Sequence, residues 1–312
     1  MHNRITCILG VKYPLILGAM RRITLGEMAA AVSNSGGFGQ IAASGLSTDQ
    51  LRAELARALE LTSLPVGINI PIYRPNAFDA LAIAIEAKLR VITTSAGDPS
   101  KLMGAAKEAG LKVLHKVSTV EMAKKAQSAG VDGVIATGFE AGGHVGREMM
   151  TTFCLVPQLV DALTIPVVAA GGIGDARGFL AALALGAEGA EVGTAFLATH
   201  ECPVPGFFKQ SVVEAGCGAT VLLGKDAMPI RVLNNKAAAR IRSSDKATED
   251  QRLTAEGDRA YVMECADAET SVMPCGQVCG LVHEMGGAAD VFPDMVRSAR
   301  SLLEALRGVF DT

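Results

Sequence analysis

The sequence predicts an α/β fold, a (β/α)8 barrel with a mainly helical insertion or second domain after the eighth strand. Three observations carry this. Short β-rich runs recur eight times, amphipathic stretches separate them, and the alternation stops near residue 201.

The runs are Leu15-Ile16-Leu17, Gly39-Gln40-Ile41, Val66–Ile70, Arg90–Thr94, Lys112–His115, Gly133–Ala136, Pro166–Ala170 and Ala190–Gly193. Between them, Thr48–Leu61, Pro99–Ala109, Thr119–Ala129 and Ala176–Leu185 have helical periodicity. Glu108-Ala109-Gly110-Leu111, Ser128-Ala129-Gly130-Val131 and Leu185-Gly186-Ala187 each end a helix on glycine and start the next strand. Strand–helix alternation implies parallel strands with right-handed crossovers, and eight units suit a closed barrel better than an open doubly wound sheet. The expected units are a barrel over 1–201, a helical insertion or lid over 202–285, and a C-terminal segment, 286–312, packing back on the barrel. In the last, Asp290–Phe310 reads as one amphipathic helix with Val291, Met295, Ser298, Leu302 and Leu303 suitably spaced.

A chain of 312 residues with 49% apolar and 20% charged residues buries a large core and is not disordered. A net charge of −3 gives no footprint for nucleic acid and no polybasic membrane face. Mean hydropathy is positive, +0.31, yet Gly, Pro or a charge interrupts every apolar run before the roughly 18 residues of a membrane span. Seven irregularly spaced cysteines and no apolar leader suggest a cytoplasmic protein with reduced thiols.

In such a barrel, functional groups sit on loops at the C-terminal strand ends. Glycine turns follow strands seven and eight, Gly171-Gly172-Ile173-Gly174 and Gly193-Thr194, where backbone N–H groups approach a phosphate. The alternative is tight turns that only reverse the chain. After strand six, Gly138-Phe139-Glu140-Ala141-Gly142-Gly143-His144-Val145-Gly146 sets a histidine among glycines, placed to exchange a proton near neutral pH. No His-x-x-x-His or Cys-x-x-Cys spacing supports a metal. Cys275 and Cys279 sit four apart and read as small packed thiols rather than a redox pair.

The loop Gly138–Gly146, the turn Ala170-Gly171-Gly172-Ile173 and the run Gly193–Thr199 resemble the nitronate monooxygenase (2-nitropropane dioxygenase) family, which includes FMN-dependent enoyl-acyl-carrier-protein reductases and NADH:quinone reductases. Tyr13–Met20, Ser35-Gly36-Gly37, Gly67-Ile68-Asn69, Thr94–Pro99 and Gly276–Gly280 extend the likeness over nearly the whole chain. The resemblance implies a TIM barrel holding FMN, with NADH or NADPH as a candidate reductant. It implies that Gly171, Gly172, Gly193 and Thr194 hold the phosphate. Gly18, Ala19, Met20, Asn69, Lys116 and Gln277 would surround the flavin, with Glu140, Gly142 and Gly143 beside it. It implies His144 as the acid or base. A lysine near the flavin N1/O2 edge would stabilise the reduced anion.

One departure bears on substrate. The family commonly has Gly-Gly-Met and an aromatic stretch after strand one; here the run is Gly18-Ala19-Met20-Arg21-Arg22, and the chain has no Trp. Arg21 and Arg22 suggest an anionic substrate, an acyl thioester or carboxylate, over a neutral nitroalkane; the alternative is that both arginines point into solvent. Two activities stay open: nitronate oxidation, and NAD(P)H-dependent reduction of an enoyl thioester or quinone. A flavin-free phosphate-binding isomerase or lyase with Lys116 as base, and a non-catalytic barrel, are the other classes. No nucleic acid or membrane partner is expected, and a homodimer remains open.

Overall fold

Leu15 and Phe38 close the ring. In the computed structural model, which describes residues 1–224, 228–244 and 267–310, Phe38 N–H donates to the Leu15 carbonyl at 2.8 Å and Leu17 N–H to the Phe38 carbonyl at 2.9 Å. The described strands are β1 (Leu15–Leu17), β2 (Gly39–Ala42), β3 (Val66–Pro71), β4 (Val91–Ser95), β5 (Lys112–Val117), β6 (Gly133–Thr137), β7 (Gly143–His144), β8 (Val167–Ala170), β9 (Gly189–Val192), β10 (Thr220–Leu223) and β11 (Ile230–Leu233). Eight pair in parallel in the order β1-β9-β8-β6-β5-β4-β3-β2, and a bridge between Ile16 and Phe38 joins the two ends. The eight predicted strands are these eight.

Outside run α2 (Gly26–Asn34), α3 (Thr48–Leu61), α4 (Ala77–Glu86), α5 (Ser100–Glu108), α6 (Val120–Ala129), α7 (Thr152–Ala162) and α8 (Ala176–Ala184). Their ends are written locally. Ser47 and Gln50 form a capping box on α3, Thr119 caps α6, and Asp175 caps α8 by accepting from the Arg177 and Gly178 N–H groups. Gly110, Gly130 and Gly186, with φ of +73°, +88° and +94°, make the exits into the next strands.

Helix α1 (Arg4–Leu9) seals the N-terminal mouth. Its Ile5 and Leu9 pack with Ile16, Phe38, Val91, Leu114, Ile135 and Val168, an apolar layer inside the barrel. Arg90, just before β4, donates to the Ile8 and Cys7 carbonyls. Burying a side chain such as Phe38 contributes roughly 2–3 kcal/mol. Two residues further along each strand, the same inward face carries Gln40, Thr93, Lys116 and Thr137, so the barrel is apolar at its floor and polar toward its C-terminal end.

Among the described residues after β9, the helices α9 (Gly206–Val213) and α10 (Lys236–Arg242) are joined by an antiparallel pair, β10–β11, which β-branched Thr220, Val221, Ile230 and Val232 favour. Leu223, Val232, Ala237, Ala238, Ile241 and Val272 form its own small core. Much of the charged run Arg240–Gly257 lies outside the described residues.

Helix α11 (Ala288–Phe310) completes the outer ring against α8 and α2. Its buried face is Phe292, Met295, Val296 and Ala299, whereas Leu303 is 42% exposed. Phe292 sets this rotation. It packs edge-on to Phe196, ring centroids 5.1 Å apart, and fills the space where Gly37 lacks a side chain. Among the described residues no helix is long and apolar enough to cross a membrane.

Candidate active site

His144 lies on β7, a two-residue strand that pairs with β11 rather than with the barrel. Ile230 faces His144, Arg231 faces Gly143, and Val145 N–H donates to the Pro229 carbonyl at 3.0 Å. The imidazole keeps surface open to the mouth but has protein around it. That enclosure pulls its pKa below the ordinary value, and the positive charges of Arg74 and Arg21 push the same way. A neutral imidazole keeps one ring nitrogen able to accept a proton.

The loop carrying His144 is laced to two others. Gln277 N–H donates to the Glu140 carbonyl at 2.9 Å, and Gly276 N–H to Thr194 Oγ1 at 2.9 Å. A Cβ on Gly142 would lie 2.6 Å from Gly276 N, so the two chains cross at backbone contact. The Glu140 carboxylate accepts from Thr152 N–H at 2.9 Å, at the start of α7, and lies beside the Gly172 turn. Gln277 opens a 3-10 turn (Gln277–Leu281), its side chain exposed. Cys275 and Cys279 flank it, both buried. The Cys279 thiol is drawn below its ordinary range by the neighbouring Cys275 thiol, with the Arg231 charge contributing.

Beneath the mouth, a polar chain crosses the barrel interior. Lys116 Nζ is 2.5 Å from Glu191 Oε1, Gln40 Nε2 is 3.4 Å from Glu191 Oε2, Thr93 donates to Gln40 at 2.6 Å, and Asn69 donates to Thr93 at 2.8 Å. Lys116 and Asn69 were expected in the site; Glu191, Gln40 and Thr93 were not. Their signal was present. Each is a polar residue at an inward position of an otherwise apolar parallel strand.

The glycine turns lie side by side on β8 and β9. Gly171 and Gly172 have φ of +87° and +73°, and Gly193 opens a 3-10 turn over Thr194–Ala198. Gly18 N–H donates to the Val192 carbonyl at 2.8 Å, and a Cβ there would be 3.0 Å from Gly193 Cα, so β1 and β9 touch backbone to backbone beside Met20. Thr137, at the end of β6, holds a buried hydroxyl with no hydrogen-bond partner. Ala19 and Met20 are partly exposed at the same end, as is Arg21, which packs on Gly45. Arg22, at φ +57°, is exposed, with Nε on the Gly45 carbonyl at 3.2 Å. Arg74, on the β3–α4 loop, carries a buried Nε without a partner and stacks over Tyr73. Nothing in composition or spacing singled it out.

Comparison with known proteins fits this arrangement. The nitronate monooxygenase family description matches residues 2–298. A "probable nitronate monooxygenase" of Staphylococcus saprophyticus is 32% identical over 97% of this chain and 99% of its own. A Rhodococcus jostii dehydrogenase, named for an octahydroindene carboxyl-CoA, is 31% identical over 98% of each chain. The solved structure of FabK from Thermotoga maritima superposes with a TM-score of 0.94 at 36% identity, covering 99% of both chains. The chain belongs to the nitronate monooxygenase family, a family of flavin-dependent oxidoreductases.

Proposed function

We propose that this protein is an FMN-dependent reductase of an α,β-unsaturated acyl thioester, with NAD(P)H as reductant. The observation that carries the substrate class is the placement of Arg21 and Arg74, partly exposed on the loops after β1 and β3 at the C-terminal end of the barrel. Two guanidiniums on separate loops make a cationic rim suited to the phosphates and carbonyls of a coenzyme A or acyl-carrier-protein arm. The Rhodococcus relative, whose name contains a carboxyl-CoA, supports the same class.

The residues at the mouth fit FMN. Paired glycine turns leave backbone N–H groups for a phosphate, and the unpartnered Thr137 hydroxyl offers a polar contact on the same rim. Bound FMN would supply a hydride donor and acceptor at N5. Gly171, Gly172, Gly193 and Thr194 would hold its phosphate. Gly18, Ala19, Met20, Asn69, Gly142, Gly143, the Glu140 main chain and Gln277 would border the rest. Lys116 presents a charge whose position Glu191 fixes. His144, carried on β7 at the mouth, would orient the thioester and exchange the proton at the α-carbon. The described part of 202–285 would border the mouth, since its β11 pairs with the strand bearing His144. A second reading, nitronate oxidation, draws on the same neutral imidazole, a ready base beside two cations suited to a small oxyanion.

An anaerobic absorption spectrum separates these. Rapid bleaching of a flavin band by NADH or NADPH, reversed by crotonyl-CoA, is the expected result. Bleaching by propyl-2-nitronate alone would select the second reading, and no flavin band after reconstitution with FMN would reject both.

A further inference from the structure

We infer that Arg231 is the positioning residue for His144. The inference rests on the acid/base reading of His144 given above, and on a set of contacts that converge on one side chain.

Arg231 is 3% exposed. Its Nε and Nη2 both donate to the Phe139 carbonyl, at 3.0 and 2.9 Å, and Nη1 donates to Thr220 Oγ1 at 3.1 Å. The guanidinium lies over the Phe139 ring, 4.5 Å from its centroid. Its backbone pairs with Gly143, next to His144, and its carbonyl accepts from Cys275 N–H at 3.3 Å. One residue therefore grips the start of the His144 loop, the strand that carries the histidine, and the segment leading to Gln277.

A buried cation costs solvation, and burial indeed pushes the Arg231 pKa down. Apolar side chains could fill a small hairpin at lower cost. Only a planar fork can hold one carbonyl through two donors while stacking on the ring of the same residue. That fixes Phe139 in both position and rotation, five residues before His144. Because β7 spans only two residues, its two pairing positions on β11 fix little of the His144 backbone, and this anchor adds what they lack. A catalytic group needs its supporting contacts to lock its orientation.

The test uses the full FMN-loaded chain, with His144 followed by imidazole C–H resonances assigned through His144→Gln, and with NADH and crotonyl-CoA as substrates. In Arg231→Met the His144 titration midpoint should rise toward that of a free imidazole, and kcat should fall at least tenfold with KM changed less than threefold. Arg231→Lys, a point charge, should recover less than half of the lost kcat. Phe139→Leu keeps the carbonyl but removes the stacking face. It should give a smaller shift of the same sign, and it replaces Arg231→Met if that variant fails to fold. A folded variant with the wild-type His144 midpoint and kcat within twofold overturns the inference. If instead His144→Gln keeps full activity, the acid/base role falls, while a shifted midpoint in Arg231→Met still shows that Arg231 positions the ring.

Discussion

Lys116 and Glu191 form an ion pair inside the barrel, Nζ to Oε1 at 2.5 Å, with Glu191 only 6% exposed. The pair joins β5 to β9 across the barrel, and through Gln40 and Thr93 it reaches Asn69 on β3. Breaking such a pair strands a charge in low dielectric. Glu191→Ala should therefore destabilise the protein by about 3–5 kcal/mol, read from urea unfolding. Glu191→Leu with Lys116→Met should recover most of that loss, since neither charge is then left alone. A double variant as unstable as the single one would show that packing, not charge, sets the cost.

Arg21 and Arg74 carry the proposed substrate class, and Arg22 provides the internal control. Arg21→Ala and Arg74→Ala should each raise KM for crotonyl-CoA roughly tenfold, about 1.4 kcal/mol of binding, with kcat little changed. Raising ionic strength should weaken wild-type binding more than that of either variant. Arg22→Ala should move KM less than twofold, because its side chain is exposed and its Nε is bonded to the Gly45 carbonyl. Equal effects of all three substitutions would point to general surface charge rather than a built rim.

The barrel was legible because its signals are local and repeated. Eight apolar runs, the amphipathic stretches between them and glycine exits such as Gly130 each report a nearby backbone requirement. The His144 loop was legible through its glycines. The partners packed around the candidate site were not, because they depend on distant chain segments meeting. Arg231 is 92 residues from Phe139, and Glu191 is 75 from Lys116. The strand content of Thr220–Leu233 was hidden for the same reason, since β11 gains its second partner from β7. On α11, a helical stripe is legible, but which edge of it turns inward depends on Gly37 leaving room for Phe292.

Gly142 tests the crossing of two loops. A Cβ there would sit 2.6 Å from Gly276 N and 2.7 Å from the Cys275 carbonyl carbon, and backbone cannot yield as a side chain does. Gly142→Ala should separate the His144 loop from the Gln277 turn. FMN affinity, followed by quenching of flavin fluorescence, should fall at least tenfold. Unchanged affinity would mean that the crossing does not form part of the cofactor site.

His115 makes the fold acid-sensitive. It is 2% exposed and its ring Nδ1 lies 2.8 Å from the Thr94 hydroxyl. Burial lowers its pKa to about 4, against the weaker opposing pull of Asp98. The unfolded chain takes up this proton near 6.5 and the folded one only near 4, so below 6.5 the unfolded state binds more protons and stability falls with pH. The loss accumulates between those two values and levels off below the lower one. Its size is about 3 kcal/mol at 1.36 kcal/mol per pH unit. His115→Asn keeps a group able to bond Thr94 but has no proton to gain, so its Tm should decline less steeply over that window. Parallel Tm curves for the two proteins would assign the acid sensitivity elsewhere, His144 being the next group whose pKa is held low.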